Sequence, residues 1–277
     1  MTWMVAAYGD GQKNFMTHRT SPKLVAALAT AFLSTSALAT DPEIMLHEND
    51  LADKGELVAT LHSNYTLRGA RESGNDTWPE ARQTNLMAEF ATGLAPDWEA
   101  GIHLPIRRAG VDSASSREGA WGSSGVMLRL KHVTTLENGF FYGFNTEYDF
   151  FARRFDGAPR GVEFRGIIGH DVETYRITFN PTLSRGVGGG SDEARQSEFR
   201  LDAKALYKYS TKIAWGVETY TRWGRVKDLQ PGSGDRVVYL VAEFELPNRD
   251  TLHLGVGQGF KETPEGTVLK AVWATTF

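Results

Sequence analysis

The chain closes on Leu269-Lys270-Ala271-Val272-Trp273-Ala274-Thr275-Thr276-Phe277, and the alternation in that stretch decides the fold. Successive side chains of a strand point to opposite sides, so Leu269, Ala271, Trp273 and Phe277 share one face and Lys270 falls on the other. A soluble domain has no reason to end a strand on an apolar face with an aromatic as its last residue. A strand that closes a membrane barrel does, because that face meets lipid.

The same period returns upstream in about twelve segments of roughly 9–11 residues, the length of a spanning strand. Leu57, Ala59, Leu61, Tyr65 and Leu67 form one such face, and Leu86, Ala88, Phe90 and Leu94 form the next. Trp98, Ala100, Ile102, Leu104 and Ile106 follow, and Phe140, Tyr142, Phe144, Tyr148 and Phe150 repeat the pattern further on. The connections alternate as well. Pro96-Asp97, Glu137-Asn138-Gly139, His170-Asp171, Ser210-Thr211 and Pro247 to Asp250 are short, whereas 69–80, 108–124, 152–161, 185–197 and 224–235 are long and rich in Gly, Ser and charge. Trp98, Phe140, Tyr175, Tyr207, Tyr209, Trp215, Phe244 and Phe277 gather on the apolar register near the short connections, as an interfacial girdle does. These features predict an all-β fold: a transmembrane up-and-down antiparallel barrel over 55–277, of about twelve strands, with short periplasmic turns and longer extracellular loops.

Composition agrees and excludes other classes. The 277 residues hold 41% hydrophobic residues and 29 glycines, and no charge-free run approaches the roughly 20 residues a spanning helix needs. Thirty basic residues are scattered among 34 acidic ones, giving a net charge of −4 and no basic stripe for nucleic acid. Cysteine is absent, which rules out disulfides, thiolate metal sites and thiol nucleophiles.

The N-terminal part reads as an export signal. His18, Arg19 and Lys23 precede the apolar run Leu24 to Leu33, and Ala37-Leu38-Ala39 is a small-x-small cleavage site. Residues 1–39 are therefore expected to be an extension plus signal peptide, with Met16 the natural start and cleavage after Ala39. Residues 40–54 are expected to be a short polar periplasmic lead-in, and the location to be the bacterial outer membrane.

If the apolar residues face lipid, the alternate set faces the lumen. That set is polar and mixed in sign, so the lumen must be wet, internally paired, or both. Glu89, Glu99, Arg129, Glu147, Arg165, Arg176 and Glu218 are the candidate lining residues. Their mixed signs fit equally a lumen sealed by its own ion pairs and a narrow hydrophilic path, and strong ion selectivity is not indicated. Gly255, Gly257 and Gly259 point inward and could leave room for a neighbour, a loop or a solute, although such glycines more often simply permit curvature. His62, His103 and His253 could meet in the lumen, but no ligand spacing supports a metal, and they read as polar lumen residues. His132 and His170 lie at the wrong end for catalysis on outer-leaflet lipid, and His62 and Ser63 point to opposite faces. No enzyme and no cofactor are expected.

The run Gly93 to Ile106 (GLAPDWEAGIHLPI) resembles a hairpin of a widespread group of Gram-negative outer-membrane barrels. Gly125 to His132, Gly139 to Phe150 and Gly255 to Phe260 resemble further strands of that group. Some of its members are labelled transporters or linked to the meta pathway of phenol degradation. The resemblance implies a porin-like barrel in contact with outer-membrane lipid, passing small solutes. Similarity to other barrels also implies folding by the barrel assembly machinery, with Trp273 and Phe277 as the recognition signal. The expected function is passive transport by a monomeric barrel. A closed structural or adhesive barrel acting through its outer loops, and a lipid-modifying enzyme, are the alternatives.

Overall fold

Strict alternation commits most of the described residues to strands. The computed structural model describes residues 43–277 apart from 71–79, 111–118, 153–158, 189–194, 232–234, 261–262 and 264. The signal peptide, the Met16 start and the cleavage after Ala39 lie outside the described residues. The strands are β1 (Leu57–Gly69), β2 (Thr84–Ala95), β3 (Trp98–Arg108), β4 (Trp121–Ser123), β5 (Gly125–Thr135), β6 (Phe140–Phe151), β7 (Arg160–Asp171), β8 (Tyr175–Gly188), β9 (Ser197–Ser210), β10 (Ile213–Arg225), β11 (Arg236–Glu245), β12 (Thr251–Phe260) and β13 (Glu265–Thr276).

Each strand pairs antiparallel with its sequence neighbours, and β13 returns to β1, where Phe277 N–H donates to Leu57 C=O at 2.8 Å. β4 and β5 both pair with β3 and are two pieces of one wall strand, so the ring is a closed barrel of twelve strands. Closure removes the free edges that an open sheet would present, and lipid tolerates no others.

The break between β4 and β5 has a local cause. Pro105 on β3 carries no N–H to donate, and the register slips by one residue between the His103–Met127 and Ile106–Ser123 pairs. Ser124 N–H instead donates to Pro105 C=O at 2.9 Å. Gly125 takes a φ of +148°, and a Cβ there would lie 1.9 Å from the Phe150 carbonyl oxygen, so only glycine fits.

Sidedness follows the pleat. On β11, Leu240 is 70% exposed while its neighbour Tyr239 is 1% exposed. The outward girdle residues Tyr175, Tyr207, Tyr209, Trp215 and Phe277 are all exposed. Inside stand the polar residues, but also Met87, Val133, Phe141, Ile167, Leu206, Val237, Tyr239, Val241 and Val268, all buried.

Two expectations are corrected. The turn expected at His170-Asp171 is strand: Asp171 N–H donates to Gly139 C=O at 2.8 Å and prolongs β7, and Val172 N–H closes the turn on Tyr175 C=O at 3.0 Å. Of the stretch expected to be a periplasmic lead-in, 40–54, the described residues 43–52 are not outside the barrel. Its residues Glu43, Ile44, Leu46, His47, Glu48 and Ala52 are buried within it. Ile44 packs on Leu206, Val237, Tyr239, Val241 and Val268, and Leu51 packs on Val133, Phe141 and Ile167. The inward apolar side chains would otherwise face water, and this segment covers them.

Leu240 is the fifth of the ten residues of β11, near mid-height. Leu240→Arg is expected to cost roughly 2–4 kcal/mol in denaturant unfolding from lipid vesicles. A loss below about 1 kcal/mol would place that position outside the hydrocarbon.

Candidate functional site: a lumen filled by its own chain

The segment Glu43–Ala52 is irregular, so its backbone polar groups need partners that a strand would have supplied. The wall provides them from side chains. Asn180 acts as a surrogate strand: its Oδ1 accepts from His47 N–H at 2.8 Å and its Nδ2 donates to His47 C=O at 3.0 Å. Lys270 Nζ donates to Ile44 C=O at 3.1 Å, Lys131 Nζ to Asp50 C=O at 2.7 Å, and Arg165 to Met45 C=O at 3.4 Å. Ala52 N–H donates to Glu99 Oε2 at 2.7 Å.

Lys270 is paired with Asn64 and Gly255, about halfway along β13, so Ile44 sits deep in the barrel. Lys54 bridges Gly93 near the short-turn end. The segment thus rises from the short-turn mouth to mid-lumen. A Cβ on Gly93 would stand 2.4 Å from the Ala52 and Asp53 carbonyl oxygens, so the bare backbone of Gly93 is what lets the segment enter against the wall.

The charged side chains form three groups around this segment. In the first, Arg129 lies 2.5 Å from Glu89 and 2.7 Å from Glu99, with His62 at 3.1 Å and His103 at 3.4 Å from the Glu89 carboxylate. In the second, His47 lies 3.3 Å from Glu43 and 3.5 Å from Glu147, and Arg165 bridges Glu43 and Glu163 at 3.5 and 2.5 Å. In the third, Glu48 meets Lys204 at 2.6 Å, Arg176 at 3.1 Å and the Thr178 hydroxyl at 2.6 Å. Glu243, also 2.6 Å from Lys204, and the Glu218–Lys270 pair with His253 complete that group. Burial pushes the Glu43 carboxyl up. His47, by charge and hydrogen bond, and then Arg165 outweigh this and hold it well below the usual carboxylate range.

All seven side chains read from the sequence as lining residues point inward: Glu89, Glu99, Arg129, Arg165, Arg176 and Glu218 are each tied to an oppositely charged side chain, and Glu147 faces His47 and Asn145. Four of them, Glu99, Glu147, Arg165 and Arg176, touch the inner segment directly. His62 and His103 meet at Glu89, while His253 stands apart beside Glu218 and Glu243. Sequence reasoning missed Glu43, His47 and Glu48. At Gly255 and Gly257 the room expected for a neighbour is taken by the Lys270 and Tyr239 side chains.

No protein-family model matches the chain, and no curated protein sequence does. Solved structures do. The chain is similar to the COG4313 outer membrane channel from Pseudomonas putida F1, with a TM-score of 0.60 and 11% identity over 85% of this chain and 100% of that one. It is also similar to the NanC porin, with a TM-score of 0.50 and 9% identity over 79% of this chain and 98% of that one. Both likenesses are of fold.

Arg129 is the shared cation of two buried carboxylates. Arg129→Met is expected to lower unfolding stability by roughly 3–5 kcal/mol, because it leaves Glu89 and Glu99 buried without their shared cation. Neutralising those partners in the triple variant Arg129→Met, Glu89→Gln, Glu99→Gln should recover most of the loss. A neutral Arg129→Met variant would mean that the two carboxyls are not ionised.

Proposed function

We propose that this protein is an outer-membrane channel for small solutes whose resting state is closed by its own segment Glu43–Ala52. One observation carries the reading: an irregular segment crosses half of the lumen and is anchored to opposite walls through side chains. Breaking those anchors would leave behind a path lined by Glu89, Glu99, Arg129, Glu147, Arg165, Arg176 and Glu218, charged in both signs. A closed structural barrel would be served as well by side chains packed from the wall alone. The similarity of fold to a channel and a porin supports the same reading. The motif Gly93 to Ile106 supports placing the chain with the group linked to the meta pathway of phenol degradation.

Single-channel recording in planar bilayers tests this. The intact protein should be silent or show only small steps, and deletion of residues 43–52 should give large, discrete ones. Wide steady conductance from the intact protein would refute the closed resting state, and silence from both would favour a structural barrel.

Location and assembly belong to the same proposal, with Trp273 and Phe277 read by the barrel assembly machinery. Phe277 is 75% exposed and contributes only its backbone to closure, so its removal should leave the folded barrel intact. Deleting Phe277 is expected to reduce the amount assembled in the outer membrane, with export unaffected, measured by membrane fractionation. Normal membrane levels would remove Phe277 from the signal.

A further inference from the structure

The third charge group is internally balanced: Glu48, Glu218 and Glu243 face Arg176, Lys204 and Lys270. The second is not. Glu147 is 2% exposed, yet among the described residues its partners are the neutral Asn145 amide at 2.6 Å and His47 at 3.5 Å, with no Lys or Arg in ion-pair contact. An ionised carboxylate buried without a cation is costly, and so is a histidine with an idle ring nitrogen. His47, itself 1% exposed, turns Nε2 towards Glu43 and Glu147, and its Nδ1 has no hydrogen-bond partner.

The separations within this group match a particular ligand set. His47 Nε2 lies 3.3 Å from the Glu43 carboxylate and 3.5 Å from Glu147 Oε1, and the donor atoms of all three residues fall within 4.8 Å of one another. Zinc bonds to nitrogen and carboxylate oxygen at about 2.0–2.2 Å, which puts tetrahedral neighbours about 3.3–3.5 Å apart. Asn145 Nδ2 donates to Glu147 Oε1 at 2.6 Å and so orients that carboxylate beside His47. Glu43, His62 and Glu89 form a second such triad, but Arg129 at 2.5 Å already neutralises Glu89.

We propose that a divalent transition-metal ion with the ligand preferences of zinc binds between the inner segment and the wall, on Glu43 and His47 from the segment and Glu147 from β6. Arg165 reaches Glu43 at 3.5 Å but is matched by Glu163 at 2.5 Å, so the charge of Glu43 and Glu147 is left for another cation. Two carboxylates and a neutral imidazole satisfy a divalent charge, and a nitrogen–oxygen donor set suits zinc better than calcium or magnesium. The ion would tie the segment to the wall at mid-lumen. The inference rests on the docked position of Glu43–Ala52, as the closed resting state does.

The test uses the full-length protein extracted from outer membranes into detergent and stripped with EDTA. Zn²⁺ is then added in a calorimeter, and Co²⁺ is followed by its visible absorption. One equivalent of Zn²⁺ and a tetrahedral Co²⁺ spectrum are expected. His47→Gln and Glu147→Gln should each weaken Zn²⁺ binding roughly tenfold or more. His170→Gln, at the exposed rim beside Tyr175 and Asn138, should leave it unchanged. Heat-modified migration on gels confirms that each variant is a folded barrel. The absence of saturable one-to-one binding would overturn the inference, as would binding that survives both substitutions. Large steps from the 43–52 deletion without Zn²⁺ binding by the intact protein would remove the metal alone. One-to-one binding by a barrel that stays silent after the deletion would sustain the metal and remove the channel.

Discussion

Neutralisation of charge inside the barrel is the constraint on which the rest of the structure depends. The outer face must be apolar, and a pleated strand then sends every second residue inward. On this chain those residues include Glu89, Glu99, Arg129, Lys131, Glu147, Arg165, Arg176, Lys204, Glu218 and Lys270, all enclosed within one ring of strands. Ionised side chains packed so closely must find partners or water. The wall supplies some partners, as in the Arg129 bridge, and the chain returns through its own lumen to supply others, as Glu48 does for Arg176 and Lys204.

The architecture was legible because a single rule generates it. Period 2 with an apolar outer set marks each strand wherever the set is long enough, from Leu57, Leu61 and Leu67 to Leu269, Trp273 and Phe277. Turn chemistry was less reliable. His170-Asp171 looks like a turn by composition, but a ladder bond from Asp171 to Gly139 across the sheet decides otherwise. Register against a neighbour is a tertiary property, and local composition does not encode it.

The inner segment was illegible for a related reason. Glu43 to Ala52 has no period, and its charges suit a solvated lead-in as well as a lumen. What fixes it is complementarity with residues far away in sequence, such as Asn180, Lys204 and Lys270. A partial signal was present on the strands themselves. Val133, Phe141, Ile167, Val237, Tyr239 and Val241 break the polar inner pattern, and apolar side chains facing a water-filled lumen gain nothing. Inward apolar patches on two sides of the ring imply that something covers them, although not what. The idle polar atoms around His47 and Glu147 depend on depth and distance, which no strand pattern reports.

Position and strength separate in this kind of anchoring. Each polar link to the inner segment is directional: Asn180, Lys270 and Lys131 hold the backbone of His47, Ile44 and Asp50, and the Glu48 side chain is held by Lys204. The net free energy of such links is small, because a buried ion pair recovers little more than the hydration its partners gave up. If the segment withdraws along the lumen, water enters behind it and rehydrates the same groups. The cost of leaving is then far below the summed strength of the hydrogen bonds and ion pairs that break. Burial of Ile44 and Leu46, with Leu51 half-buried against a second inward apolar patch, supplies most of what holds the segment in place. Two aliphatic side chains amount to about 3–6 kcal/mol at full burial. A closure specified by polar geometry and held by two apolar anchors is definite in structure and modest in energy, the combination that a reversible obstruction requires.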